Sequence, residues 1–462
     1  MIGSIRSIPD LQAAADYIPT NLSLDPDWRK NLPRESDIKS QPIDIFVEKV
    51  PTLRKSLLGD IPSDGKLKVS GKKIVDWFMS QPGNNFTRQE LAKRIHYFLI
   101  HPLKYPQSLY PVRPGEEFKD GMSEYRFLQD QYSYFADDPS VLNFSLINHR
   151  QLIKNLNSVY FYENPKIVDK ATVLKLLEPF TKSMKSIIEN FGSPDGKLID
   201  YKALLASKEL YEEFFPAVRS LAYIPFEPLL EDLKELKSTF INIYNMMQIH
   251  MILDFYAREK NFEIHNLARD VMHNEKMYLI GGQPYTLNDI EHGILKLNGL
   301  FKKKPGFSLF EKVKPHFEKE DIRSKFTVLT EDPLVHFALN YGTRSSPGIR
   351  IYYGEKINRQ LKMAALSFCS KEVKIIERDG KLYISTNEII NLVAKNFKGP
   401  RKNIDFLKFL ANLLNADKSS LLEKYLEKSP KKIIMVYYAS GFKTNTFNVQ
   451  ELNICSDFIP YF

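Results

Sequence analysis

Between residues 65 and 135, apolar positions recur at helical spacing in two short runs. The first begins after Ser70, a residue type that caps helix N-termini, and gathers Ile74, Val75 and Phe78 on one side with Trp77 flanking them. The second opens on Thr87-Arg88-Gln89-Glu90, the pattern of a capping box, and continues through Leu91, Ile95, Phe98 and Leu99. A loop follows, then Phe118-Lys119-Asp120-Gly121 and Glu124-Tyr125-Arg126-Phe127, which reads as a hairpin arm returning to the helices. Helix, helix and hairpin describe a small winged-helix shape over 61–138. Upstream, six prolines between Pro9 and Pro51 leave room only for short helices, so 1–60 reads as an arm that docks through Trp28 and the apolar run at 43–47.

Farther along, Leu174, Leu176, Leu177, Phe180, Met184, Ile187 and Ile188 mark a helical connector over 139–195. The turn residues Gly192-Ser193-Pro194-Asp195-Gly196 close it, and a larger α+β domain with a C-terminal extension is expected over 196–462. Helical and strand patterns there occur in runs and do not alternate as βαβ units.

Three polar insertions stand out in that third block. The stretch from Phe240 to Leu253 is apolar almost all round and reads as a buried helix, which makes Asn242 and Asn245 informative. Their positions on a 3.6-residue wheel aim both amides the same way, either to tie down neighbouring backbone or to orient a ligand. In Thr286-Leu287-Asn288-Asp289-Ile290-Glu291-His292-Gly293-Ile294-Leu295, Thr286 and Asp289 look like a capping pair. Leu287, Ile290, Ile294 and Leu297 form the apolar stripe of this helix, with Glu291 inside the stripe and His292 at its edge. A carboxylate so placed needs a cation or several donors: it is a structural ion pair or an acid/base group. Third, Val335-His336-Phe337-Ala338-Leu339-Asn340 alternates as a strand, bringing His336 and Asn340 to one face ahead of the turn Tyr341-Gly342-Thr343-Arg344-Ser345-Ser346-Pro347. His336 is a satisfied core histidine or part of a site floor.

Charge and composition narrow the field. A net charge of +9, from 65 basic and 56 acidic residues, permits anionic partners without demanding them. The basic runs Lys302-Lys303-Lys304 and Lys398 to Lys402 lack the aromatic or glycine pattern of a nucleic-acid fold, so no nucleic-acid partner is expected. Cys369 and Cys455 are too few for a disulfide framework or a zinc site, so no metal or other cofactor is expected and a reducing, cytoplasmic setting fits. No transmembrane segment is expected, because no apolar stretch approaches about 18 residues.

Two resemblances rest on these residues. Ser70-Gly71 ahead of Ile74-Val75-Asp76-Trp77-Phe78, with the closing Tyr125-Arg126-Phe127, resembles a DEP domain. That resemblance implies docking to a protein partner or an acidic membrane surface, with Lys72, Lys73, Arg88, Lys93 and Arg94 as the contact face. Asn242 to His250, Gly281 to Leu295 and Asp332 to Pro347 resemble, in order, the motifs of the domain-of-unknown-function family numbered 547, over about 250 residues. Many members of that family carry cysteine before the turn glycine and often a second one shortly after; this chain has Tyr341 and Ser346. It also lacks the tryptophan that commonly precedes the helix asparagine.

Two functions are therefore expected in competition. One is an intracellular signalling or scaffold protein whose large domain binds a partner or ligand. The other is a hydrolase or transferase in which Glu291, His292, His336 and Asn340 line the pocket and Arg344 holds an anionic group. In that case Ser345 or Ser346 would be the only candidate to pair with His336 as nucleophile. A degenerate enzyme fold kept as an interaction module is the third possibility.

Overall fold

The computed structural model describes residues 52–53, 56–57, 68–82, 84–96, 109–111, 118–127, 140–143, 169–258, 271–299, 315–318, 321–328, 330 and 332–438. Trp28, the run at 43–47, Phe98, Leu99, Lys302 to Lys304 and Cys455 lie outside these residues. Among the described residues no helix is long and apolar enough to cross a membrane.

The N-terminal module holds β1 (Val69–Ser70), α1 (Gly71–Met79), α2 (Arg88–Ile95), β2 (Leu109–Pro111) and β3 (Glu124–Phe127). Local signals set both helices. Ser70 Oγ accepts from the Lys73 amide, and Thr87 and Glu90 complete a reciprocal capping box. The closing strand β3 pairs antiparallel with β1 on one side and β2 on the other. Ile74, Val75, Phe78, Leu91, Ile95 and Tyr125 form the core beneath. This core continues into the larger domain through Ile322, while the buried Arg126 donates to the Gly282 carbonyl at 3.3 Å.

The larger α+β unit begins with α3 (Lys170–Phe191), α4 (Tyr201–Ala206) and α5 (Phe215–Ser220), followed by α6 (Leu233–Arg258). Val173, Leu177, Phe180, Met184, Ile187 and Phe191 of α3 pack into the same core as α6, so the turn at 192–196 does not separate two cores. Gly196 sits at φ +70°, and its carbonyl accepts from the Ile349 amide, which brings that turn against the loop after the third motif. Next come the hairpin β4 (Met277–Ile280) and β5 (Gln283–Thr286), then α7 (Ile357–Glu372). A second sheet closes the described chain: β6 (Lys374–Arg378), β7 (Lys381–Asn387) and β8 (Ile433–Tyr438), with α8 (Glu388–Ala394), α9 (Lys402–Ala411) and α10 (Ala416–Lys428) between the last two strands. β7 pairs antiparallel with β6 and parallel with β8.

Two elements correct expectations. The segment Pro333–Phe337 is a 3-10 helix, not a strand. Asp332 accepts from the Leu334 amide and Pro333 occupies the first turn, so a cap and a proline override six residues of alternating pattern. The helix after Thr286 has π geometry over Asp289–Leu295, and Leu297, expected in its stripe, lies beyond its end at φ +59°. Leu287, Ile290 and Ile294 are buried as expected.

Candidate functional site

The buried helix α6 supplies the frame. Its asparagines act as backbone clamps: Asn242 Nδ2 donates to the Tyr352 carbonyl at 2.8 Å and its Oδ1 accepts from the Tyr352 amide at 2.9 Å. Asn245 repeats this one turn on, donating to the Ala338 carbonyl and accepting from the Asn340 amide, each at 2.8 Å. Each side-chain amide thus takes the place of a neighbouring strand for a segment that has none, which satisfies backbone groups that burial would otherwise leave unpaired. The amides do point toward one region, as the wheel predicts, and that region is the loop 338–353.

Within that loop, polar side chains bond back to their own backbone. Asn340 donates to the Pro347 carbonyl at 2.7 Å and accepts from the Gly342 amide at 2.8 Å, with Gly342 at φ +73°. Ser346 Oγ accepts from the amides of Tyr341 (3.1 Å) and Thr343 (3.2 Å) and bonds to Thr343 Oγ1 at 2.9 Å. Ser345 Oγ bonds to Thr343 Oγ1 at 3.2 Å, and Arg344 is exposed. The loop therefore presents Tyr341 as its inward side chain.

Tyr341 reaches the one buried carboxylate of the second motif. Glu291 is 4% exposed; its Oε1 accepts from Tyr341 Oη at 3.0 Å and from Lys296 Nζ, and its Oε2 accepts from Tyr244 Oη at 3.2 Å. Burial alone would raise the Glu291 carboxyl, yet the Lys296 ammonium holds it well below the usual carboxylate range. Lys296 follows Glu291 by five residues, the hydrogen-bond span of a π-helix, and stands at the C-cap just past Leu295. Gly293 is required here because a Cβ at that position would lie 2.2 Å from the Phe317 ring. Its carbonyl accepts from Thr327 Oγ1 at 2.8 Å.

Histidines surround this anion. His273 stacks on Tyr341 with ring centroids 6.5 Å apart and planes at 11°. Burial pushes His292 down to about 4 and His336 down to about 3, the latter helped by the Lys296 charge, so both rings are neutral at physiological pH. His336 Nε2 lies 3.3 Å from Asn396 Oδ1, while its Nδ1 and Asn396 Nδ2 have no hydrogen-bond partner among the described residues. His292 faces His316 at 6.3 Å, and His316 bonds to Asp289, which Arg323 also binds.

The structure thus gathers Glu291, His292 and His336 into one electrostatic neighbourhood. Asn242, Asn245, Asn340, Ser345 and Ser346 instead build the loop that delivers Tyr341. No hydrogen bond joins Ser345 or Ser346 to His336. Tyr244, His273, Lys296 and Asn396 complete the centre and were not among the expected site residues; a five-residue offset puts Lys296 on the far side of a 3.6-residue wheel from Glu291, so the sequence pattern did not join them. A small cavity bounded by Phe226, Glu227, Phe240, Tyr285 and Lys325 shares no residue with this centre.

On the N-terminal module the expected basic face is partly neutralised. Lys72 Nζ bonds to Asp76 at 2.7 Å, and Arg88 bridges Asp76 and Asp120, with Nη2 to Asp120 at 2.7 Å. The Arg94 guanidinium lies over the Phe86 ring at 4.1 Å, and Lys73 and Lys93 are exposed.

Residues 231–369 match a known family, described as protein of unknown function, DUF547. This segment runs from the start of α6 into α7, holds all three polar motifs, and is narrower than the resemblance read from the sequence. No DEP-domain model matches the chain. No curated protein matches it, and no solved structure matches it.

Proposed function

We propose that this is a cytoplasmic signalling or scaffold protein: the DEP-like N-terminal module docks to a protein partner, and the larger domain is a non-catalytic binding module built around a locked polar centre. The observation that carries this reading is the engagement of Glu291. Tyr244, Tyr341 and Lys296 all donate to its two oxygens, and the Lys296 ammonium holds the carboxyl well below its usual range, which makes it a weak proton acceptor. The candidate nucleophiles are equally engaged. Ser346 Oγ holds the loop together, and the Cys369 thiol is buried and pushed up to about 12, where it is inert. Tyr341 stands where the family resemblance places cysteine.

For the N-terminal module a protein partner suits the geometry better than a bilayer. Binding to acidic lipid is worth about 1 kcal/mol per surface cation, and Lys72 and Arg88 already spend their charge on Asp76 and Asp120.

A hydrolase or transferase reading keeps one observation in its favour, the unpartnered Nδ1 of His336 beside Glu291. Labelling separates the two. The full native chain is treated with a fluorophosphonate and, separately, with iodoacetamide, and its peptides are mapped by mass spectrometry. The scaffold reading predicts no fluorophosphonate adduct on Ser345 or Ser346, and alkylation of Cys369 only after the chain is denatured. A native-state adduct on Ser345 or Ser346 that disappears in His336→Gln would establish a serine nucleophile and overturn it.

A further inference from the structure

The sheet β6-β7-β8 has two unlike faces. Inward, Leu382 and Ile384 are fully buried, and Tyr425 of α10 donates to Glu377 at 2.9 Å. Outward, the register aligns side chains in rows across the strands. One row is Ile376, Tyr383 and Ile434, paired in that order. Ile376 is 59% exposed although it lies mid-strand. The adjacent row sets Arg378 directly opposite Lys381, and Lys432 immediately precedes the residue that pairs with Leu382. All three cations are exposed. They sit at the hairpin end, where Asp379 (φ +51°) and Gly380 (φ +65°) form the two-residue turn.

An apolar row in water and like charges directly opposite each other both work against stability. Asp379 offsets part of the repulsion through a 3.4 Å contact with Arg378 that is itself highly exposed. Residues 371–438 carry 14 Lys and Arg against 8 Asp and Glu, so most of the chain's net +9 lies in this part. A local conflict of this kind points to a surface shaped for something outside the fold.

We propose that the outer face of β6-β7-β8 is a docking surface for anionic phospholipid bilayers. Ile376, Tyr383 and Ile434 sit at interfacial depth, and Arg378, Lys381 and Lys432 lie against the headgroups. Charge complementarity selects an anionic occupant, and size selects a bilayer. The two rows are about 7 Å apart on strands about 5 Å apart, far below the roughly 800 Å² that each partner buries in a stable protein complex. A bilayer needs no bounded matching footprint. A patch with a tyrosine in its apolar row, beside a row of cations, matches the polarity gradient of its interface. This surface is separate from the N-terminal module and from the Glu291 centre.

The test is co-sedimentation of the full chain with phosphatidylcholine vesicles, with and without phosphatidylserine, at low and physiological salt. Binding is expected only with phosphatidylserine and is expected to weaken with salt. Each surface cation contributes roughly fivefold, so Arg378→Glu/Lys381→Glu/Lys432→Glu loses at least about a hundredfold in affinity. Ile376→Asp loses roughly tenfold through the apolar row. Lys175→Glu/Lys182→Glu/Lys185→Glu makes the same charge change on exposed positions of α3 and stays within a few-fold of the parent. All of these positions are exposed, so thermal midpoints should hold. The proposal is overturned if the parent ignores phosphatidylserine, if the sheet variants bind like the parent, or if the α3 control loses as much as the sheet variant. It is equally overturned if this face captures an acidic protein while the chain ignores vesicles.

Discussion

Replacing Lys296 with methionine destabilises the chain by about 3–5 kcal/mol, the cost of leaving a buried charge without its partner. Glu291 stays in place, 4% exposed, with only Tyr244 and Tyr341 donating to it. Two neutral donors stabilise a carboxylate less than an ammonium at contact distance, so the carboxyl rises toward or above its ordinary value. The loss is read from the urea midpoint with the m-value unchanged. Removing both charges in Lys296→Met/Glu291→Leu recovers part of it, since the uncompensated ion is gone. If Lys296→Met shifts stability by less than about 0.5 kcal/mol, as a surface change would, the pair does not hold the centre.

Mild acid should weaken the fold well above the pH at which carboxylates titrate. His250, His292 and His336 are pushed down by burial to about 4, about 4 and about 3. In the unfolded chain each takes up a proton near pH 6.5. Below that pH the unfolded state binds more protons than the folded one, so stability is fully present above about 6.5 and falls as pH drops toward the folded values. Between pH 7 and pH 5 each histidine removes about 2 kcal/mol, about 6 kcal/mol for the three, a large part of the 5–15 kcal/mol that ordinarily holds a domain. Glu291 adds to this only below about pH 4.5, because its carboxyl is depressed and its contribution is lost as pH falls through the folded value. Urea midpoints at pH 7 and pH 5 measure the fall, and His336→Gln should remove about a third of it. A flat profile over this range would mean that the histidines are solvated.

Much of this was legible in the residues. Ser70, Thr87 and the Thr286–Asp289 pair cap helices because short polar side chains compete for the same unpaired amides wherever they occur. The near-uniform apolarity of α6 predicted a buried helix, and burial alone predicted that Asn242 and Asn245 must find backbone partners. The ion-pair alternative for Glu291 is the one the geometry displays. Less visible were features set by distant contacts. The 3-10 turn at Pro333–Phe337 was hidden because alternating apolar residues over six positions fit a strand equally well, although Asp332-Pro333 is a helix-start signal. A wheel drawn at 3.6 residues per turn could not pair Glu291 with Lys296 across a π turn. Tyr244 reads as one more apolar residue of α6 until its hydroxyl finds Glu291. Asp379-Gly380 is a strong two-residue hairpin signal between β6 and β7, masked in the pattern by the charges that interrupt the strands on either side.

The central claim is that Tyr341 and Glu291 form a locked structural pair at the position where the family resemblance places a cysteine. A double-mutant cycle with Tyr341→Phe and Glu291→Gln, measured by urea denaturation at pH 7, tests it most directly. A hydrogen bond to a buried carboxylate predicts a coupling energy of about 1.5–3 kcal/mol. Additivity within about 0.5 kcal/mol would show that the two side chains act independently and would contradict the account.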